Sequence, residues 1–404
     1  MSQTDKIKNL CIKCKEEKST ILIRQAKFCT NCFNINYINK FKSNLSKSGS
    51  PAVDIRADVM VAVSGGANSM SLLSLISDFQ LPKASLHQKY NSLSIGHIDE
   101  STLFPLSPES SIIEEIKNFP FKLETRKLED VFNPELYQNF YKTHEKDGND
   151  LVFSKNLIQN MESPSKLLLS LFDNITSPST KEYMLTQIKN FLILDMAKKL
   201  GCHVAAVGDT STLIAHRSIL NIVEGRGYSL PFDIGAESAQ DPLVWILRPL
   251  RASTKKEVAF YNHDKGLKSF WVPSFSTMAS TSNNSTISLG HLTETFLVGL
   301  DAEYPATIST VASTVSKIKI NDETSSDSPP CILCFSKISK HAAGYKLGVS
   351  VGYEKESTLN LPSSSDTSNL IHVQNHLCYS CIINVDNITP GTTLPGFLSI
   401  PSSQ

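Results

Sequence analysis

Eight of the nine cysteines stand in four Cys-x-x-Cys pairs, Cys11/Cys14, Cys29/Cys32, Cys331/Cys334 and Cys378/Cys381, leaving Cys202 unpaired. A two-residue gap lets one tight turn aim two thiolates at a single ion, so the pairs read as metal ligands; secreted disulfide frameworks seldom step all their cysteines this way. Fourteen residues separate the two N-terminal pairs, the spacing of a four-cysteine zinc ribbon, with redox dithiols or an iron–sulfur centre as alternatives. The C-terminal pairs have 43 residues between them and could close a second four-thiolate site, where His372 and His376 stand close enough to substitute as ligands. Cys202 opens an apolar strand and reads as a small core residue.

A second constellation follows the first apolar run. Ser64-Gly65-Gly66-Ala67-Asn68-Ser69 precedes helix-compatible residues from Met70 onward. Two glycines allow a backbone to approach an anion, unpaired N–H groups collect at a helix start, and Ser64 and Ser69 add hydroxyls; the segment either cradles phosphate or is a plain strand-to-helix turn. No Gly-Lys-Ser/Thr follows, so it is not a Walker loop, and the G-x-G-x-x-G spacing of a dinucleotide site is missing. His97-Ile98-Asp99 ends the second apolar strand, where Asp99 either meets a nucleotide or caps the next turn. Gly208-Asp209 ends a later one and leads into Thr212, Leu213 and the turn Asn221 to Gly227. Arg226, Arg248, Arg251, Lys255 and Lys256 cluster at strand ends and either meet phosphate or are ordinary surface charge.

These groups need a scaffold, and the apolar periodicity supplies one. From Asp58 the runs VMVAVS, SMSLLSLI, SLSIGHI, SIIEEIKNF and FKLETRKL alternate strand and helix, which implies a parallel sheet. After a less regular insertion, about 131–178, with a helical patch at SKLLLSLF, come a helix from Lys181 to Leu200, the strand HVAAVGD, and a helix placing Leu213, Ile214, Arg217, Leu220, Asn221 and Val223 at helical spacing. The strand VWILRPL and the helix STKKEVAFYNH follow. The Ser/Gly/Pro stretch 48–51 reads as a hinge, and segments 272–288, 321–329 and 356–369 as loops, so the C-terminal cysteines are expected to hang on a tether.

Composition bounds the rest. With 404 residues, 40% apolar content and charges balanced at 39 against 39, the chain can bury a full core. No stretch approaches the roughly 18 apolar residues of a membrane span, and the polar first residues suggest no secretion signal, so a cytosolic protein without membrane contact is expected. Residues 1–56 carry 11 Lys or Arg against four Asp or Glu. Lys13, Lys15, Lys18, Arg24, Lys27 and Lys40, with Phe28, Phe33 and Tyr37 among them, offer cations and stacking surfaces to RNA, or else form a solvated face.

The pattern S-G-G-x-x-S after a first strand resembles the ATP-pyrophosphatase, or PP-loop, family, whose members adenylate a carbonyl oxygen before a nucleophile displaces AMP. Asn68 stands where that family has Asp, so a charge that would help hold Mg²⁺ beside ATP is lost. Where catalytic relatives show a His and two Asp, this chain has Asp209, Thr212 and Leu213, and it lacks the cysteines of the thiolating enzymes. The combination SGG-x-x-S, GD-S/T-x-T, NI-x-x-GRG and RPLR-x-x-x-KKE between cysteine knuckles resembles the cytoplasmic tRNA 2-thiolation protein 2 family.

That resemblance implies an α/β fold, a doubly wound and mostly parallel sheet of PP-loop type, with zinc knuckles at both ends: 1–50 a zinc ribbon, 51–320 the PP-loop-like domain, 321–404 a second four-cysteine segment. It implies an accessory subunit for wobble-uridine 2-thiolation, partnered by a catalytic PP-loop tRNA thiolase, tRNA, and a thiocarboxylated ubiquitin-related modifier as sulfur donor. Ser64, Gly65, Gly66, Asn68, Ser69, Asp99, Gly208 and Asp209 are then a phosphate site in use or kept for structure, no residue is catalytic, and Lys13, Lys15, Arg24, Lys27 and the strand-end basic residues are RNA contacts. The alternatives are an active ATP-dependent sulfurtransferase and a zinc-ribbon scaffold outside RNA modification.

Overall fold

The computed structural model describes residues 10–46, 57–80, 90–133, 136, 163–239, 243–275, 287–304, 306–318, 330–336, 377–390 and 392–395. The expected hinge at 48–51, most of the insertion, His372, His376 and the loops 321–329 and 356–369 lie outside them.

The chain opens with a knuckle turn and a hairpin of β1 (Ile21–Ile23) and β2 (Ala26–Phe28), which leads into α1 (Thr30–Ser46). The doubly wound part then runs β3 (Ala57–Ala62), α2 (Ala67–Gln80), β4 (Tyr90–Asp99), α3 (Glu109–Lys117) and β5 (Lys122–Lys127). It continues through α4 (Pro164–Asp173), α5 (Pro178–Lys199), β6 (Val204–Ala206), α6 (Ser211–Val223), the short α7 (Leu230–Ile234), β7 (Glu237–Ala239), β8 (Trp245–Leu247) and α8 (Lys255–Lys265). Helices α9 (Leu289–Glu303), α10 (Thr307–Val315) and α11 (Tyr379–Val385) complete it.

The main sheet has the order β5-β4-β3-β6-β8-β7. All neighbours pair in parallel except β7, which runs against β8 at the edge. The sequence pattern gives the parallel strands but not this three-residue reversed one, too short to show a period. The order reverses direction between β3 and β6, the place where an open α/β sheet leaves a crevice at its carboxyl edge.

Alternation along the strands splits the core in two, since successive side chains point to opposite faces. Val59, Val61, Val204, Ala206 and Leu247 face α1, α2 and α8, whereas Met60, Ala205 and Ile246 face α5 and the C-terminal cysteines. The N-terminal knuckle is therefore fused to the sheet rather than appended. Phe33 and Tyr37 are wholly buried and Phe28 nearly so. Tyr37 Oη lies 2.9 Å from Ser71 Oγ of α2, and Lys40 pairs with the buried Glu257 of α8. The expectation that these aromatic rings stack on RNA bases is thus overturned: α1 turns them inward, where burying a ring outweighs leaving it in water.

The tether expectation fails as well. Cys331, Cys334, Cys378 and Cys381 belong to the same buried cluster as Met184, Ile188 and Phe191 of α5. Thr180 Oγ1 donates to Asn384 Oδ1 at 3.0 Å, and Ile175 pairs with Ile388 in an antiparallel bridge. In α6 the buried face is Ser211, Ile214, Ala215 and Ser218, while Val223 is exposed, so the helical spacing was right and the apolar face only partly so.

Replacing Phe33 by Ala is expected to cost about 3–5 kcal/mol, as for other fully buried rings. Lys13→Ala should stay within about 0.5 kcal/mol of wild type. Urea unfolding midpoints of the two variants check both.

Candidate functional site

The turn after β3 is built for close backbone approach. Gly65 has φ +78°, and a Cβ there would meet Ile112 at 2.8 Å. Ser69 Oγ donates to Gly66 O at 3.0 Å and accepts the Ser64 N–H at 3.2 Å, tying the turn to the first turn of α2. Across the switch point, a Cβ on Gly208 would lie 3.0 Å from Asn68 C and Ser69 N. The turns after β3 and β6 therefore touch backbone to backbone.

Beside this contact opens a cavity of about 340 Å³, whose wall includes Ser64, Asn68, Ser69, Gly208 and Asp209. That is within the usual range of about 300–1,000 Å³ for small-molecule sites. Its charges are already engaged with one another. Asp209 Oδ2 accepts from Arg217 Nη1 at 2.8 Å and from Arg248 Nε at 3.0 Å. Glu100 Oε1 pairs with Lys189 Nζ at 2.6 Å.

Several residues read as ligand contacts have other occupations. Asp99 Oδ1 accepts the Ser101 N–H at 2.9 Å, so it caps its turn and Glu100 takes the place on the cavity wall. Arg248, only 3% exposed, also donates to Asp233 O, Gly235 O and Ser238 Oγ at 2.6–3.0 Å. Arg226, also 3% exposed, forks onto Asp233 through Nε and Nη2 at 2.7–3.0 Å. Neither guanidinium can reach RNA, because its donors are used inside the protein; the RNA-facing expectation for Arg226 and Arg248 is corrected accordingly. Lys256 and Lys255 are exposed, Lys255 pairing with Glu294 at 3.0 Å, and Arg251 is half-buried. Lys13, Lys15, Arg24 and Lys27 stand exposed around the N-terminal knuckle, where the Ile12 N–H donates to Lys27 O at 2.9 Å and brings turn and hairpin together.

The cysteines form two four-sulfur groups, Cys11/Cys14/Cys29/Cys32 and Cys331/Cys334/Cys378/Cys381, each with all Sγ atoms within 4.8 Å of one another. Both follow one plan. A knuckle turn closes with the N–H of Lys15 or Phe335 donating to the O of Cys11 or Cys331, and each closing residue has positive φ, 59° and 60°. The second pair sits at a helix start, Cys29/Cys32 on α1 and Cys378/Cys381 on α11. Sulfur separations of 3.9 Å for Cys14–Cys29 and 3.7 Å for Cys334–Cys378 match the tetrahedral edge of about 3.8 Å that Zn–S bonds of about 2.3 Å require. Both groups thus fit a single tetrahedral ion. A four-iron cluster, with its metals spread over a cube, needs its thiolates wider apart.

A family model described as cytoplasmic tRNA 2-thiolation protein 2 matches residues 288–383, the stretch from the start of α9 to the second cysteine centre. Cytoplasmic tRNA 2-thiolation protein 2-A of Xenopus laevis is 27% identical over 385 residues, 82% of this chain and 73% of that protein. The Danio rerio protein is 27% identical over 455 residues, covering 96% of this chain and 89% of its own. The chain resembles the cytoplasmic tRNA 2-thiolation protein 2 family over most of its length. Among solved structures, the U34-tRNA thiolase NcsA from Methanococcus maripaludis, described with its [4Fe-4S] cluster, superposes with TM-score 0.52 at 15% identity, covering 79% of this chain and 92% of its own. That likeness is one of fold, and the fold is the PP-loop α/β type that the motif resemblance implies.

Glu100, Lys189 and Asp233 are cavity residues that pattern reading misses, because each sits in an element whose apolar neighbours carry the signal. His97, 1% exposed, donates its Nδ1–H to Val63 O at 2.7 Å, and its Nε2 lies 2.8 Å from Glu109 Oε2. Burial alone would lower the His97 pKa, but the Glu109 and Val63 acceptors outweigh it and raise the value. For Glu109 burial opposes ionisation, yet the bonds from His97 and Ser107 leave its carboxyl below the ordinary glutamate value. Stability from His97 is accordingly full below the ordinary histidine pKa and lost as pH rises through the raised value. Stability from Glu109 is present above the ordinary glutamate pKa and lost as pH falls through the lowered one. His97→Gln is expected to flatten the decline on the alkaline side, read from urea midpoints between about pH 5 and about pH 9.

Proposed function

We propose that this chain acts in tRNA thiolation in the cytoplasm as an accessory subunit, required for 2-thiolation of wobble uridine but not performing it. A catalytic PP-loop thiolase would be its heterodimeric companion, drawing sulfur from a thiocarboxylated ubiquitin-related modifier. The observation that carries the reading is the state of the cavity beside the phosphate turn. The turn and the Gly208 contact are kept, while Asn68 replaces an acid and Asp209 is clamped between Arg217 and Arg248. Mg²⁺ beside a nucleotide is held by carboxylate charge, which Asn68 lacks and which at Asp209 is offset by the two guanidiniums on Oδ2. The names of the relatives, and of the thiolase that shares the fold, supply the RNA and the reaction.

In this reading the chain divides into a knuckle segment 1–50, a phosphate-turn domain 51–320 and a segment 321–404. Ser64, Gly65, Gly66 and Ser69 serve to shape the crossover. Zn²⁺ held by the two cysteine groups would be structural, its binding free energy helping to fold segments too short to do so unaided. Lys13, Lys15, Arg24 and Lys27, exposed on one knuckle, would hold tRNA phosphates, with Arg251, Lys255 and Lys256 as further contacts.

The test is mass spectrometry of tRNA nucleosides from a deletion strain. Wobble 2-thiouridine should disappear on deletion and return with wild type or with Asn68→Ala, and the purified chain should release no pyrophosphate from ATP in the presence of tRNA. Thiolation by the isolated chain would sink the accessory role, and unchanged 2-thiouridine in the deletion strain would leave a scaffold protein instead.

A further inference from the structure

The C-terminal cysteine group is far more enclosed than the N-terminal one. Cys331, Cys378 and Cys381 are wholly buried and Cys334 is 5% exposed, whereas Cys14 and Cys32 reach the surface. A divalent ion with four thiolates carries a formal charge of about −2, and such a charge is costly in an apolar interior unless opposite charge and donors surround it. The core supplies both.

Arg226 Nη1 lies 3.9 Å from Cys378 Sγ and donates to Tyr183 Oη at 2.8 Å. Arginine has no acceptor, so Tyr183 takes that bond on its oxygen and directs its own proton to Cys381 Sγ, 3.0 Å away. The Cys378 N–H donates to Cys331 Sγ at 3.3 Å, and Ser336 Oγ lies 2.9 Å from Cys334 Sγ. At Gly225, where φ is +75°, an added Cβ would fall 2.6 Å from the Tyr379 ring. The Gly225-Arg226 turn is therefore moulded against the knuckle.

The other face of the same arginine points toward the cavity. Arg226 forks onto Asp233, whose carboxylate also accepts from Asn221 Nδ2 at 3.1 Å and Ser229 Oγ at 2.7 Å. Asp233 O accepts from Arg248 Nη2 at 2.6 Å, and Arg248 Nε reaches Asp209 on the cavity wall. An unbroken chain of polar contacts thus runs from the sulfurs to the wall beside the phosphate turn.

We propose that Tyr183 and Arg226 are positioning residues of the C-terminal metal centre, balancing its charge, and that Asp233 and Arg248 transmit its occupancy to Asp209. At the N-terminal centre the described donors are backbone N–H groups, that of Cys32 at 3.5 Å from Cys29 Sγ and others on Cys11, with no arginine or tyrosine among them, and Cys14 and Cys32 are half-exposed. Emptying the two centres should then have different consequences. Neither statement depends on the tRNA reading.

The experiment uses full-length protein loaded with Zn²⁺ and a Cys11→Ser/Cys14→Ser background that retains only the C-terminal ion. Release to a chromogenic chelator is timed for that background and with Tyr183→Phe or Arg226→Gln added. Loss of a group that orients a ligand typically costs 10–100-fold in affinity, so release is expected to be about tenfold faster or more in both. Tyr183→Phe keeps the ring and so keeps the measurement valid if Arg226→Gln does not fold. Hydrogen exchange over residues 207–217 and 245–251 is compared in wild type, in the N-terminal variant and in Cys331→Ser/Cys378→Ser. Protection should fall only in the last. Unchanged release in Tyr183→Phe overturns the positioning role, and unchanged exchange in the C-terminal variant overturns the transmission.

Discussion

The turns that follow β3 and β6 approach so closely that a side-chain carbon on Gly208 would lie 3.0 Å from the first backbone turn of α2, tighter than ordinary van der Waals contact. This contact sits where the strand order changes direction, so it sets the spacing of two strands, the entry of α2 and the floor of the cavity together. Gly65 adds a left-handed backbone and its own close approach to α3. An anion-binding turn and a structural hinge of the sheet would demand the same glycines. Keeping the glycines is for that reason compatible with either use, and the acids around the turn then find partners within the protein.

They have found them. Asp209 shares one oxygen between two arginines, Glu100 faces Lys189, and Asp233 is surrounded by donors from Arg226, Asn221 and Ser229. A buried carboxylate so saturated is poorly placed to coordinate a cation, since each interaction would have to be broken first. The charges lining the pocket are thus paired with one another.

Much of this organisation is visible in the chain's chemistry before any coordinates. Strand and helix alternate plainly from Asp58 because buried parallel strands are runs of β-branched residues, and the cysteine spacings announce both centres. Sidedness is what does not show. Phe33 and Tyr37 sit among lysines in sequence but on the inner face of a 17-residue helix. Arg226 and Arg248 read as phosphate contacts or surface charge because nothing in the sequence marks Asp233 and Asp209, 7 and 39 positions away, as the groups that hold them inside. Helix α9 exposes Leu292, Phe296 and Val298, so its apolar residues do not mark its buried side, whereas α10 buries Ile308, Ala312 and Val315 at helical spacing.

The position of α11 bears on how the chain is made. Its residues Cys381, Ile382 and Val385 complete the interior against α5, yet they follow α5 by some two hundred residues of chain. A ribosome adding about 5–20 residues per second would leave the side of α5 that packs against α11 exposed for on the order of ten seconds or more. Until Cys378 and Cys381 emerge, Tyr183 and Arg226 lack their sulfur partners. Chains halted before α11 would lack the contacts that close this side of α5.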